Sequence, residues 1–280
     1  MSLIAEFDVQ MKCKSCSEKI EKALKNLDGV SNVEVSFEKG SVVIESKLSS
    51  SVVQRAIEST GCIAVLKGYG GKFNVEKKVS GGGDSLTTKA AVAMLGYPVG
   101  FGLNSVKGVV RFVQATDQTC VVEGTIDGLT PGLHGLHIHE CGDISKGCES
   151  VGEHFDLLGS HHGAPSDGIG KRHTGDLGNI CADNSGRAEF RLEDDQVKVW
   201  DVIGRSVVVT EDPDDLGKGP SQASLIDGSS GKRLACGIIS RSAGLFENAK
   251  KICACDGVTL WDERNRPLAG PGRRQPTASL

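Results

Sequence analysis

The sequence has few aromatic residues, no excess of positive charge and no long hydrophobic run. Among its 280 residues, no apolar stretch approaches the ~20 residues that a membrane-spanning helix requires, so we expect no membrane span. Lys and Arg number 32 against 36 Asp and Glu, for a formal net charge of −4. The chain therefore lacks the global basic surface that releases counterions from nucleic acid, and we expect no nucleic-acid partner.

The cysteines, ten in all, are too few and too unevenly spaced for the dense disulfide framework of a small secreted protein. The first residues, MSLIAEFDVQ, lack the basic and apolar regions of a secretion signal, so we expect none. Both observations predict a reducing compartment, the cytoplasm, where closely paired thiols indicate metal or redox chemistry. The 37 Gly with only 4% aromatic residues favour tight turns, short strands and a large all-β portion.

The first seventy residues alternate strand and helix patterns. Apolar residues recur at helical spacing from Cys16 to Leu27 and again after Ser49. The predicted strands are 3–9, 33–37, 41–45 and 62–66. This βαββαβ order predicts a small ferredoxin-like α+β domain.

A glycine-rich segment, KKVSGGGDS, follows this pattern and indicates a flexible linker. From about Ala90, short alternating runs with turn signals predict an all-β sandwich or barrel. After Ala243 the chain becomes polar and irregular. We therefore divide the chain into a domain at 1–72, a linker at 73–88, a barrel domain at 89–242 and a tail at 243–280.

The motif MKCKSC lies on the loop that opens the first predicted helix. Two thiolates three residues apart can hold one soft cation in nearly linear geometry, which suits Cu(I). The helix N-terminus and the neighbouring lysines lower the pKa of such thiols. Zn²⁺ would require four ligands, and the βαββαβ order and the preceding Met disfavour a thioredoxin-type redox pair. We predict a Cu(I) site at Cys13 and Cys16.

A second motif contains the histidines, which are concentrated between residues 134 and 173. His137 and His139 are two apart on a predicted strand, so their side chains share one face and can bind one metal. Further along, three imidazoles and one carboxylate form a closed set with the composition of a tetrahedral zinc site. These predicted ligands are His154, His162, His173 and Asp176.

The third motif is Cys253-Ala254-Cys255 in the tail. A C-x-C pair does not easily close into a relaxed disulfide, but both sulfurs can hold Cu(I) or exchange with the thiols of another protein. Neighbouring lysines favour the thiolate forms. We therefore predict a second site for Cu(I) and thiol exchange at Cys253 and Cys255.

Two known families share the first two motifs. MKCKSC on a βαββαβ fold resembles the heavy-metal-associated domain of small copper chaperones and copper ATPases. GLHGLHIHECGD, HFDLLGSHHGAP, HTGDLGNI, DDLGKG and RLACGI are similar, in order and approximate spacing, to Cu/Zn superoxide dismutase over residues 108–240. This second resemblance implies an eight-stranded Greek-key barrel that holds zinc on the four ligands named above.

The resemblance to the dismutase implies two further features of the barrel. Asp214 is expected to accept hydrogen bonds from ligand imidazoles. Cys148 and Cys236 are expected to form a disulfide that anchors the metal loop to the barrel. The residues alone leave this pairing open, because Cys141 is an equally plausible partner for Cys236.

One departure from the dismutase pattern bears on activity. Dismutase copper is held by four histidines, of which three match His137, His139 and His154, whereas the fourth position here is Thr210. A hydroxyl is a poor ligand for redox copper, so we expect a zinc-loaded scaffold without dismutase activity and not an enzyme. The alternatives are an active dismutase with a fused copper-acquisition domain, in which another ligand compensates for Thr210, and a copper buffer without a specific partner.

Over essentially the whole chain, the sequence resembles the family of copper chaperones for Cu/Zn superoxide dismutase. This resemblance implies that the first domain acquires copper, the barrel recognises the dismutase by imitating its dimer partner, and the tail delivers metal and promotes the target's disulfide. The partner-facing surface is expected at 199–205 and 237–240, and such an isologous interface also permits a homodimer. A copper transporter or small copper donor is the expected source, and the mitochondrial intermembrane space is a second candidate location.

The remaining cysteines and histidines have simpler expected roles. Three cysteines are predicted to be buried or half-buried free thiols: Cys62, Cys120 and Cys181. His134, beside the ligand strand, is predicted to form structural hydrogen bonds. Of the adjacent pair His161 and His162, the alignment with the dismutase favours His162 as the ligand, because the following Gly-Ala-Pro resembles the family's Gly-Gly-Pro.

Overall fold

The computed structural model describes residues 1–71, 89–103 and 105–242. Over the first of these ranges the elements follow the predicted βαββαβ order. They are β1 (Leu3–Gln10), α1 (Lys14–Lys25), β2 (Val30–Ser36), β3 (Ser41–Ser46), α2 (Ser50–Glu58) and β4 (Ile63–Gly70). The antiparallel strands have the order β2-β3-β1-β4, so the first strand lies beside the last. The predicted ferredoxin-like domain is confirmed.

Both helices of this domain cover one face of the sheet, because their apolar residues recur every three or four positions. α1 buries Ile20 and Leu24, and α2 buries Val53 and Ile57. These side chains join a cluster that includes Phe7 of β1. Each fully buried side chain of this size stabilises the fold by roughly 1.5–3 kcal/mol. This packing holds α1, which begins in the cysteine motif, firmly against the sheet.

Eight strands of the second domain form an antiparallel sheet that is nearly closed. They are β5 (Ala90–Leu95), β7 (Lys107–Gln114), β8 (Cys120–Asp127), β9 (Gly132–His139), β11 (Asp176–Ala182), β12 (Arg187–Asp194), β13 (Ser206–Thr210) and β14 (Arg233–Arg241). Their order is β11-β9-β13-β14-β5-β7-β8-β12, and the two end strands β11 and β12 are in contact. Since consecutive strands β8 and β9 are not neighbours, the chain crosses the barrel between them. The predicted eight-stranded Greek-key barrel is confirmed.

Shorter elements lie in the connections of the barrel. β6 (Phe101–Gly102) pairs with β14, and β10 (Ser145–Cys148) lies in the long connection between β9 and β11. Two four-residue helices follow, α3 (Val199–Val202) before β13 and α4 (Ser224–Asp227) before β14. The two long connections, at 140–175 and 211–232, carry most of the predicted ligands. In the ranges that the structure covers, no helix has the length and apolar character needed to cross a membrane.

The two domains meet where β4 ends. Tyr69 is buried in the same cluster as Val113 and Val121 of the barrel. Its hydroxyl donates a 2.9 Å hydrogen bond to Glu123 and accepts one of 2.6 Å from Arg191. Ser50 at the start of α2 also donates to Glu123 of β8. Arg55 of α2 donates to Glu189 of β12, so α2 faces these two strands across a partly polar junction.

Two predicted parts, the linker at 73–88 and the tail at 243–280, lie outside the described residues. The domain boundaries at 72, 88 and 242 therefore stay predictions. The same holds for Cys253 and Cys255 as a site for Cu(I) and thiol exchange.

Candidate metal sites

Cys13 and Cys16 occupy the loop and first turn at the N-terminal end of α1. Cys13 directly precedes the helix, with an extended backbone, and Cys16 is one turn further along. The two sulfur atoms are 3.5 Å apart. Cys13 is exposed and Cys16 is half-buried. The geometry therefore offers two neighbouring thiols to one small soft cation, as the spacing predicts, with one sulfur facing solvent.

The Cys13 thiol is biased toward its ionised form. A hydrogen bond with Ser15, whose hydroxyl oxygen is 3.0 Å from the sulfur, and contacts with Cys16 lower the pKa of Cys13 from its ordinary value of 9.0 to about 7. The thiolate is the form of cysteine that binds metal and acts as a nucleophile. At neutral pH, Cys13 is thus the more accessible and the more reactive sulfur of the motif.

Cys62 lies beside this pair, which the sequence analysis did not predict. It is a buried free thiol, as expected, at the entry to β4. Burial raises the pKa of Cys62, and the neighbouring Cys16 and Cys13 raise it further. The only signal in the sequence is the βαββαβ order itself, which pairs the first strand with the last and so brings position 62 to the motif.

The barrel histidines converge at one end of β9, where two long connections fold over the sheet. His137 and His139 share one face of β9, and His139 forms a bridge with His154 of the following connection. The His137 and His154 rings stack with centroids 4.1 Å apart. One ligand atom from each of His137, His154, His162 and Asp176 lies within 4.8 Å of the others, and all four residues are buried.

The four predicted zinc ligands meet at the Asp176 carboxylate. Its Oδ1 lies 2.8 Å from Nδ1 of His154, 3.0 Å from Nδ1 of His162 and 3.3 Å from Nδ1 of His173. Its Oδ2 accepts hydrogen bonds from the main-chain N–H groups of Gly163 and His173. The Nδ1 atoms of His162 and His173 are buried and satisfy no hydrogen-bond geometry. Three imidazoles and one carboxylate in this arrangement suit a tetrahedral divalent ion.

His137 belongs to the group of four residues whose ligand atoms lie within 4.8 Å of one another, whereas His173 does not. Nε2 of His137 lies 3.0 Å from Asp214, and its Nδ1 is buried without a partner. His139 likewise keeps Nε2 unpartnered while its Nδ1 donates to the Gly152 carbonyl oxygen at 2.9 Å. These free nitrogens define a second potential metal position beside the first, with His154 between the two.

Burial and the neighbouring charged groups strongly shift the pKa values of the residues in the cluster. Burial lowers the pKa of His154 to about 3, with the nearby His137 acting in the same direction. At His162 burial opposes the charged form, but the neighbouring carboxylates of Asp176 and Asp214 prevail and raise its pKa to about 9. Burial raises the pKa of Asp176, yet the three neighbouring imidazoles hold it far below its usual range. Such a carboxylate stays ionised and can face a cation.

Asp214 contacts imidazoles on both sides, as the resemblance to the dismutase implies. Its Oδ1 lies 2.7 Å from Nε2 of His162 and its Oδ2 lies 3.0 Å from Nε2 of His137. The Asn179 side chain accepts a hydrogen bond from the Asp214 main-chain N–H and donates one to the Asp214 carbonyl oxygen. These two bonds fix the main chain at Asp214 and so hold its carboxylate in place. One carboxylate therefore orients a ligand of each metal position.

Thr210 occupies the end of β13, close to the His137 ring. It is 3% exposed, and its hydroxyl can donate to the carbonyl oxygens of Gly135 and Asp212, each at 3.3 Å. A Cβ built on Gly135 would lie 2.5 Å from Thr210 Oγ1 and 2.8 Å from His137 Cε1, so both side chains flank the same space. The residue at this position therefore offers a hydroxyl that is engaged with the main chain.

The neighbouring histidines behave as predicted. His134 is buried, with Nδ1 2.8 Å from the Thr210 carbonyl oxygen and Nε2 2.8 Å from that of Thr130. His161 is exposed, whereas His162 is buried in the cluster. Of the adjacent pair, His162 is therefore the residue that can bind metal.

Arg172 supports the ligand loop and was not predicted from the sequence. Its side chain is fully buried, and its guanidinium donates to Asp194 at 2.5 Å and to the Asp176 carbonyl oxygen at 3.0 Å. It thus ties the metal loop to β12. Nothing in the local sequence distinguishes it from an exposed arginine next to Lys171.

Cys148 and Cys236 form a disulfide, with Cα atoms 5.7 Å apart, and so join the metal loop to β14. Cys141, which the residues alone left open as a partner, is free and exposed. The bond closes 88 residues and on the chain-entropy model stabilises the fold by about 4–5 kcal/mol. Cys120 is buried as predicted.

The prediction for Cys181 is wrong, because this thiol is exposed. It lies in β11 between Ile180 and Ala182, which both point into the barrel. Since side chains alternate along a strand, Cys181 must face outward. Its apolar neighbours made the segment look buried on both faces.

Two family models match the chain. The heavy-metal-associated domain matches residues 6–62 and copper/zinc superoxide dismutase (SODC) matches residues 106–239. Among solved structures, the crystal structure of the clock protein EA4 is similar, with a TM-score of 0.52 and 39% sequence identity. The match covers 57% of this chain and 99% of that chain. The two halves of the chain thus match two different families.

Curated relatives match nearly the whole chain. The copper chaperone for superoxide dismutase of Sus scrofa is 53% identical over 97% of this chain and 92% of its own length. That of Homo sapiens is 52% identical over 98% and 95%. A chloroplastic copper chaperone for superoxide dismutase of Oryza sativa is 34% identical over 93% and 71%. The chain belongs to the family of copper chaperones for superoxide dismutase.

Proposed function

We propose that the chain carries Cu(I) on Cys13 and Cys16 and passes it to Cu/Zn superoxide dismutase by thiolate exchange. The observation that carries this proposal is the pair of sulfurs 3.5 Å apart at the N-terminus of α1, one of which faces solvent. The pKa of that sulfur is lowered to about 7 by its contact with Ser15, so a large fraction is thiolate at neutral pH. An incoming thiolate adds to the copper, a three-coordinate intermediate forms, and one original Cu–S bond breaks. Copper stays Cu(I) throughout, and the released thiolate takes up a proton.

The barrel acts in this scheme as a docking module that holds zinc. His154, His162, His173 and Asp176 would bind Zn²⁺, and Asp214 would orient His162. Zinc contributes a fixed charge that ties the long connection at 140–175 to the sheet. A protein purified from zinc-supplemented cells that contains no zinc would contradict this assignment.

The barrel would recognise the dismutase through the face around α3 and β14. Trp200 and Ile238 are 38% and 37% exposed there, large apolar side chains that a partner would cover. Because the barrel resembles a dismutase subunit, the same face would support a heterodimer with the target and a homodimer of this chain. A small copper donor or a copper transporter would load the first domain, and the cytoplasm, with the mitochondrial intermembrane space, is the proposed location.

The tail would complete the delivery. Cys253 and Cys255 would accept Cu(I) from the first domain or exchange with a target disulfide in formation. Two target thiols become one disulfide only if an oxidant such as molecular oxygen takes up two electrons and two protons, and the tail sulfur serves as the intermediate partner.

Maturation of a copper-free dismutase by the copper-loaded full-length chain tests the proposed function. We expect the C253S/C255S variant to bind the target as tightly as the wild type but to yield no active, disulfide-bonded dismutase. The C13S/C16S variant should lose copper uptake from a limiting donor, and C181S serves as the control for loss of an exposed thiol. Undiminished maturation by C253S/C255S would disprove the role of the tail, and undiminished loading of C13S/C16S would disprove the role of the head motif.

A further inference from the structure

Cys62 stands at the edge of the sheet where the cysteine motif begins. The antiparallel pairing of β1 with β4 aligns Gln10 with Ile63. One residue further out, Met11 and Cys62 are therefore neighbours across the two chain segments. Position 62 thus adjoins the loop that carries Cys13, although 48 residues separate the two in sequence.

The side chain of Cys62 points toward the motif and not only into the core. It is 7% exposed, and Met11 and Cys16 pack against the same hydrophobic cluster. Burial raises the pKa of the Cys62 thiol, and the neighbouring Cys16 and Cys13 raise it further, as expected for sulfurs that lie close together. The three sulfurs form a series from an exposed one, Cys13, through a half-buried one, Cys16, to a buried one.

We propose that Cys62 is a third thiolate ligand for the Cu(I) that Cys13 and Cys16 carry. This inference rests on the proposed function and refines its first site. Cu(I) is a soft ion that accepts thiolate ligands, and a third sulfur from the core side would bind it where solvent thiols do not reach. As the Cu–S bond forms, the Cys62 S–H bond breaks and its proton passes to solvent, with no change in oxidation state.

A third ligand in this position would give the site an order of release. Cys13, exposed and reactive, would be exchanged first for the incoming thiolate, while Cys16 and Cys62 keep the metal. The chain would thereby hold copper against small cellular thiols and still pass it to a docked protein. A role in packing alone, the usual one for a buried free cysteine, predicts none of this.

The sulfur coordination of bound Cu(I) tests the proposal. The full-length protein, zinc-loaded and with C253S/C255S to remove the tail thiols, would receive one equivalent of Cu(I) without oxygen. X-ray absorption would count the sulfur ligands, and competition with a cuprous chelator would give the affinity. C62A is compared with C181A, which removes a free thiol far from the motif.

We expect C62A to lose one sulfur ligand and C181A to lose none. Removal of an outer partner of a metal ligand already costs about 10- to 100-fold in affinity, so loss of a direct ligand should weaken Cu(I) binding by at least about tenfold. If C62A keeps the wild-type sulfur count and affinity, the proposal is overturned. If C62A does not fold, the parent protein decides the question, because two sulfurs would refute the proposal and three would support it.

The same measurement separates this inference from the proposed function. If C13S/C16S loses copper while C62A binds it as the parent does, the head motif carries copper without Cys62. If C13S/C16S binds copper unchanged, both the proposed function of the motif and the third ligand are wrong.

Discussion

Ser15 controls the reactivity of the exposed sulfur. Its hydroxyl contact is the largest cause of the lowered pKa of Cys13, about 7, whereas an ordinary thiol titrates near 9.0. We expect S15A to raise this pKa, because the thiolate loses a hydrogen bond. At pH 7 the thiolate fraction and the rate of alkylation by iodoacetamide should then fall several-fold in the metal-free protein.

Alkylation at Cys13, followed by mass spectrometry between pH 5 and 10, would measure this effect. The wild-type rate should rise with a midpoint near pH 7, and that of S15A should rise at higher pH. S17A is the matched control, since Ser17 bonds the Lys14 carbonyl oxygen and not a sulfur. Identical profiles for S15A and wild type would show that the hydroxyl does not stabilise the thiolate.

On the proposed function, Thr210 stands where a copper site would need one more imidazole. It shares the space above Gly135 with His137, while His137 Nδ1 and His139 Nε2 have no partners. We expect T210H to supply the missing imidazole, so that the copper- and zinc-loaded variant consumes superoxide well above the background of the wild type. The alternative of a compensating ligand predicts activity in the wild type itself.

T210A is the control for this substitution, because it removes the hydroxyl without adding a ligand. It should remain as inactive as the wild type in the same superoxide assay. Wild-type activity typical of a dismutase would contradict the chaperone-only reading of the barrel. An inactive T210H that binds copper at the barrel would show that more than one ligand separates the two functions.

At the scale of single elements, α3 and β14 form the face proposed for docking. Trp200 of α3 and Ile238 of β14 are both partly exposed apolar residues. A charge in a covered apolar interface is strongly unfavourable, so W200E should abolish association with copper-free dismutase and with a second copy of the chain. Size-exclusion chromatography with light scattering would measure both.

Leu133, 49% exposed on β9, provides a control for this surface. L133E adds the same charge to a different part of the barrel and should leave both associations intact. Loss of association in both variants would indicate a general change in the barrel, and retention in W200E would place the interface elsewhere.

The order of elements was predictable from the sequence, whereas their ends and mutual contacts were less so. The predicted strand at 62–66 extends to Gly70, because β1 continues to pair with it as far as Ile4. Period and turn residues define an element, but the length of a strand depends on its neighbour. Cys181 was predicted to be buried or half-buried because the residue type alone does not show which face of β11 it occupies.

The candidate sites, like the fold, were predictable from the sequence only in part. Candidate ligand residues could be proposed from residue type and spacing, with the resemblance to the dismutase favouring His162 over His161. Which nitrogen of each imidazole points to Asp176, and the position of Asp214 between His137 and His162, depend on how two long connections fold over β9. Cys62 was predicted as a buried or half-buried thiol, but its place beside the cysteine motif was not, because it depends on the pairing of β1 with β4.

At the scale of the whole molecule, the junction at Tyr69 joins the first domain to the barrel. The Tyr69 hydroxyl bonds Glu123 and Arg191, both charged and mostly buried. Hydrogen bonds to charged groups contribute about 1.5–3 kcal/mol. We expect Y69F to weaken the contact by that amount, since only the hydroxyl is removed and the ring still packs on Val113 and Val121.

The pH dependence of this contact follows from the pKa of Tyr69, which burial and the charge of Glu123 raise above the ordinary value of 10.0. A group with a raised pKa in the folded state stabilises that state fully below its unfolded pKa and loses this contribution as the pH rises further. Thermal unfolding of the first domain in the full-length chain should therefore be independent of this group up to about pH 10 and shift to lower temperature above it.

Y97F is the matched control for the junction, because Tyr97 is 76% exposed and far from Glu123. In thermal unfolding and small-angle scattering, Y69F should lower the stability of the first domain and increase the mean size of the molecule, while Y97F should change neither. If Y69F matches Y97F in both measurements, the domains do not dock through this junction in solution. In that case the copper-carrying domain would reach the target as an independent unit, and the order of transfer would depend on the tail alone.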